Sequence, residues 1–80
     1  MVYFCLVSKE MLDSGLTEAV QHIVENYQGQ LSGFENTQTA FEAQGSVKNQ
    51  EQLKRITEEL KRFNHRFKRD IELVPVYNLS

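Results

Sequence analysis

Gln30-Leu31-Ser32-Gly33-Phe34-Glu35-Asn36-Thr37-Gln38-Thr39-Ala40-Phe41-Glu42-Ala43-Gln44-Gly45 is the stretch on which the architecture of this chain turns. The helical period of the preceding residues stops here, and Thr, Phe and small residues take over, a composition suited to a pleated surface. Leu31 to Glu35 reads as a strand, Asn36-Thr37 as a turn, and Gln38 to Gln44 as a second strand with Thr39, Phe41 and Ala43 on one face. Gly33 marks a β-bulge. Read as a hairpin, this stretch supplies two of four strands; read as a loop, it would leave only two.

Upstream, Ser14 to Tyr27 carries Leu16, Ala19, Val20, Ile23, Val24 and Tyr27 at three- and four-residue steps, which predicts an amphipathic helix. Asp13, Ser14 and Thr17 are competent N-caps, Glu18 is expected in the first turn, and Gly29 supplies the stop. Before it, Val2-Tyr3-Phe4-Cys5-Leu6-Val7 is an apolar, β-prone run. Alternation sends Val2, Phe4 and Leu6 to one side and Tyr3, Cys5 and Val7 to the other. Both sides are apolar, which predicts a central strand whose second face is covered, by another chain if by nothing else.

Downstream, Asn49 and Gln52 form a capping-box pair ahead of a second helix. Its apolar seam is Leu53, Ile56, Leu60, Phe63 and Phe67, with Glu51 to Arg55 and Glu58 to Arg62 as i,i+4 ion pairs. Ile71 to Val76 is a final strand, and Pro75, which cannot donate to a ladder, assigns it to an edge. The order strand, helix, strand, strand, helix, strand predicts an α+β chain of ferredoxin-like split βαββαβ topology. The sheet is expected to be four-stranded and antiparallel, with two helices on one face, the first strand interior and the last at an edge.

Eighty residues, 40% hydrophobic and 25% charged with one Pro, suffice for a single ordered domain over 1–80 and leave no room for a second. A chain this short buries only roughly 60% of its unfolded surface, so its core is thin and a partner would add to it. No apolar run approaches the length of a membrane span. Met1 to Ser8 lacks a basic leader and a small-residue cleavage site, and the single cysteine cannot form an internal disulfide; the expected compartment is the cytoplasm.

Charge is distributed unevenly. Residues 1–47 hold one base, Lys9, against six acids, whereas residues 48–80 hold eight bases against five acids, so a net charge of -2 conceals a dipole. That pattern suits self-association or a charged partner and disfavours general affinity for nucleic acid. Lys61, Arg62, Arg66 and Arg69, with His65, share the outer face of the second helix. They form the candidate electrostatic contact with an acidic partner.

Cys5, His22 and His65 stand apart in sequence and on different elements, so no metal site is expected. No nucleophile signature is present, and no cofactor is implied. Plaits of the acylphosphatase family use an arginine in the loop after the first strand, and the loop here, Ser8 to Gly15, has none; an enzyme is not expected. Ser14, Gly15 and Thr17 stand at a helix start, where free amides could receive a carboxylate or phosphate. The stretch Ser14 to Leu31 resembles the opening of ACT-type regulatory plaits, a likeness that implies amino-acid binding near that loop, although Asp13-Ser14-Gly15 replaces the usual loop context. Val2 to Val7 resembles the first-strand motif of RNA-recognition domains, with Tyr3 as the stacking residue, but the third strand lacks the matching basic and aromatic positions.

The resulting expectation is a non-enzymatic plait acting by association, as a homodimer or on a protein partner, through Tyr3, Cys5 and Val7 and the basic helix face. A small-ligand regulatory domain and a nucleic-acid binder using the second helix are the alternatives.

Overall fold

In the computed structural model, which describes residues 1–10, 13–36 and 40–76, the first strand, β1 (Val2–Ser8), is interior. It pairs antiparallel with β3 (Phe41–Val47) on one side and with β4 (Glu72–Val76) on the other. β2 (Gln30–Asn36) pairs antiparallel with β3, giving the order β2-β3-β1-β4. With α1 (Ser14–Asn26) and α2 (Gln50–Phe67) the chain is an α+β ferredoxin-like βαββαβ arrangement. The ambiguous stretch is indeed the hairpin, β4 is an edge strand, and Pro75 stands opposite Phe4 in it. Asn36, expected in the turn, is instead the last residue of β2 and pairs with Phe41, while the expected turn position Thr37 and the strand positions Gln38 and Thr39 lie outside the described residues.

One core forms on the helical side of the sheet. Phe4 and Leu6 from β1 and Phe41, Ala43 and Val47 from β3 meet Val20 and Val24 of α1, and Leu53, Ile56 and Leu60 of α2. β3 alternates along its whole length, with Phe41, Ala43, Gly45 and Val47 buried and Glu42 and Gln44 exposed. It therefore runs three residues later than the sequence predicts. The reason is Gly45, which reads as a strand breaker but serves close approach: a Cβ there would stand 2.7 Å from Phe4 Cε2 and 2.9 Å from Leu31 Cδ2. Gly33, at φ 63°, carries the predicted bulge, with the β2/β3 register shifting between Ser32 and Glu35. The shift brings Phe34 beside Phe41 at a ring separation of 6.2 Å.

Both helices begin as read, with small corrections. Asp13 caps α1 by accepting from the Leu16 amide at 2.8 Å, and because the helix starts at Ser14, Glu18 falls beyond the first turn. α1 ends through Gln28 at φ 62°, the left-handed residue expected of a glycine, while Gly29 allows the chain to pass close to Val24 and Val47. In α2 the Gln52 amide donates to Asn49 Oδ1 at 3.0 Å, and the Gln52 side chain returns to the amide of Lys48 at 3.0 Å instead of to the cap residue itself. Glu51 pairs with Arg55 as expected, but Arg62 turns to Glu59, one residue nearer than the predicted Glu58. The apolar seam also shortens. Phe63 is half-buried and Phe67, the last residue of α2, remains 49% exposed.

The crossover from α2 into β4 is held by one side chain. Asn64 Nδ2 donates to the Ile71 carbonyl at 2.8 Å and Asn64 Oδ1 accepts the Ile71 amide at 3.1 Å, so both backbone groups of a buried residue are satisfied by one carboxamide. Alongside, the Ser8 hydroxyl donates to Asp70 Oδ1 at 2.9 Å and accepts the Glu10 amide at 3.2 Å, tying the end of β1 to the same crossover.

Two stability changes follow. Gly45→Ala lowers unfolding free energy by about 1–3 kcal/mol in urea titrations, as overpacked cores do, while Gln44→Ala on the exposed side stays within about 0.5 kcal/mol. Asn64→Ala costs about 1–3 kcal/mol, because it leaves the Ile71 N–H and C=O without partners.

Candidate functional site

Sheet register arranges the face opposite the helices into rows. At one end Gln30, Ser46, Tyr3 and Val76 lie side by side across the four strands, and next to them Ser32, Gln44, Cys5 and Val74. The third row, at the other end, is Glu35, Glu42, Val7 and Glu72. Among the described residues nothing covers this face. Tyr3 is 49%, Val74 40% and Val76 44% exposed, with Cys5 and Val7 half-buried between them. A hollow of about 300 Å³ lies against Tyr3, Cys5, Gln44 and Val76.

The expected sheet-face residues Tyr3, Cys5 and Val7 thus stand together, and β4 enlarges their patch with Val74 and Val76. Those two were legible only as the alternate positions of an edge strand; their place beside β1 comes from the pairing. Charge divides the face as well. Two rows are neutral and the third holds three carboxylates, with no Lys or Arg at any of these strand positions. Lys9, beyond the end of β1, borders a hollow shared with Val7 and Glu72.

The basic set of the second helix separates in space. Lys61 borders a hollow with Asn64, Asp70 and Glu72 on the β4 side of α2, whereas Arg62 and Arg66 border the groove toward α1. Five helical residues separate Lys61 from Arg66, about 140° around the axis. Arg69 lies past the helix end and binds Glu10 Oε2 at 3.0 Å. The sequence reading grouped these four residues; the structure keeps only Arg62 and Arg66 together. Glu59, by its hydrogen bond and its charge, raises the Arg62 guanidinium above its ordinary value, so Arg62 remains a cation at any ordinary pH.

That interhelical groove measures about 560 Å³. Its floor is Ala19 and Ile23 of α1 with Phe63 and Phe67 of α2, whose rings meet at 4.8 Å and 46°. The Arg66 guanidinium lies 5.2 Å from the Phe67 ring centre. His22, exposed on α1, forms part of the opposite wall.

At the start of α1, Ser14 and Gly15 are exposed and Thr17 half-buried. The Leu16 amide is taken by the Asp13 carboxylate and the Thr17 amide by the Asp13 carbonyl at 2.9 Å, so the chain supplies its own anion where a carboxylate ligand would sit. Among the described residues no three His, Cys, Asp or Glu side chains come together as a metal-ligand set. No helix among them is long and apolar enough to cross a membrane.

The chain matches no protein-family model, and no curated protein matches it.

Because Phe67 lies half outside the core, its removal is cheap. Phe67→Ser shifts the midpoint of thermal unfolding by an amount equivalent to under about 1 kcal/mol, whereas Phe63→Ala, in the same groove but half-buried, costs more.

Proposed function

We propose that this chain is a non-enzymatic association domain whose open sheet face pairs with a second copy of itself. The observation that carries the reading is the exposed apolar patch of Tyr3, Val74 and Val76, continuous with Cys5 and Val7 across β1 and β4. A thin core supports it, since a domain this small gains much from burying a second apolar layer.

Charge on the same face favours a two-fold arrangement over an arbitrary one. With a two-fold axis perpendicular to the strands and crossing the neutral rows, the apolar halves of the two copies overlap. The carboxylate row of each copy then lies at the far end of the dimer. Four residues separate the Tyr3 and Val7 rows, about 13 Å along a strand, and with the axis midway between the Tyr3 and Cys5 rows the two acidic rows would stand roughly 20 Å apart. That is well beyond the screening length of about 8 Å at physiological salt, and their repulsion is negligible. The contact is isologous and closes at two copies.

Light scattering across a salt series tests the reading. The expected mass is twice 9.3 kDa, persisting in high salt because the contact is apolar. Val74→Glu, at an exposed position of an edge strand, should yield a folded monomer by circular dichroism. A wild-type chain that stays monomeric at every salt concentration, or a Val74→Glu variant that still dimerises, overturns the proposal.

A further inference from the structure

The groove between α1 and α2 lies on the other side of the molecule from the sheet face and stands independently of the dimer. We infer that it is a docking site for an acidic amphipathic helix of a protein partner.

Three features select that occupant. The first is the floor: Ile23, Phe63 and the half-exposed Phe67 offer apolar surface along a trough between two helices, the shape that receives the apolar stripe of a third helix. The second is charge. Arg62 and Arg66 form one wall, and Glu59, the only carboxylate bordering the groove among the described residues, is already engaged by Arg62. Among the described residues Arg66 has no carboxylate partner, and its guanidinium lies over the Phe67 ring. Arg62, although paired, presents five N–H donors in all and retains free ones for a second acceptor.

The third feature is spacing. Four residues separate Arg62 from Arg66, a rise of about 6 Å, which matches acidic side chains one turn apart on a helix laid alongside. The partner stripe would run between the arginine wall and α1, with its acids facing α2. A nucleic acid fits less well, because a phosphate backbone needs a longer row of cations than two arginines. The groove rings are also tilted against each other, and Arg66 already covers part of Phe67.

Selection from a displayed library of helical peptides, with the intact chain as bait, tests this inference. Enriched sequences should carry Asp or Glu at i and i+4 beside an apolar stripe. Synthetic versions should lose about tenfold in affinity on the double change Arg62→Gln with Arg66→Gln, and again on Phe67→Ser. Replacing the acids of the peptide with Gln should weaken binding as much as the arginine changes do, and added salt should weaken it further. Val74→Glu should leave binding unchanged.

Failure to enrich any peptide, enrichment without acidic residues, or affinity indifferent to Phe67 and the two arginines overturns the inference. Peptides lost on Val74→Glu but not on Phe67→Ser overturn it too, and would assign binding to the sheet face. So does a labelled single-stranded oligonucleotide that binds through Arg62 and Arg66 where no acidic peptide does. A monomeric wild-type chain, by contrast, would end the sheet-face reading and leave this one standing.

Discussion

The approach of the Phe4 ring to the backbone of Gly45 is the contact on which the rest of the structure depends. Any side chain on β3 at that position would collide with Phe4 and Leu31 together, so the absence of a Cβ lets a central strand place its largest buried residue beneath the helices. From there the layers follow. Phe4 and Leu6 reach Val20 and Val24 on one helix and Ile56 and Leu60 on the other, and the whole buried set forms one cluster. A thin core tolerates little looseness, because interiors pack at crystal-like density and few other groups share the load.

Placing both helices on one face leaves the other without cover, and this asymmetry is the origin of the candidate interface. In a soluble domain an antiparallel sheet commonly shows water a polar face. Here β1 and β4 carry Tyr3, Val74 and Val76 into solvent, while β2 and β3 present amides, hydroxyls and acids. The face is thus divided twice, apolar from polar across the strands and neutral from acidic along them. The helical side is divided too: the last aromatic residue of α2, Phe67, stays half-exposed and borders the groove beside Arg66.

Much of the fold was legible because periodicity is a local property. The 3.6-residue stripes of Ser14 to Tyr27 and Leu53 to Phe63, the Asp13 and Asn49 caps, the bulge at Gly33 and the edge position of Pro75 each rest on a few neighbouring residues and the geometry of one element. What misread was contact-dependent. Gly45 looks like a stop until Phe4 stands over it, and Gln28 turns left-handed where Gly29 was expected to, because Gly29 is needed where Val24 and Val47 close in. Lys61, Arg62 and Arg66 are exposed on α2 and Arg69 lies past its end, but whether such residues act together depends on what flanks the helix. With β4 on one side and α1 on the other, Lys61 and Arg66 face different neighbours.

The sequence by itself determined the order of elements, their amphipathic faces, and the apolar character of both sides of β1, since each is written in spacings of two, three and four residues. Tertiary structure alone decided that β1 and β4 pool their outward residues into one patch, that an acidic row crosses three strands at its end, and that an apolar groove opens beside two of the four suspected cations. The physical reason is the same in each case. Those surfaces are assembled from residues far apart in the chain, and only strand register and helix packing bring them to within contact distance.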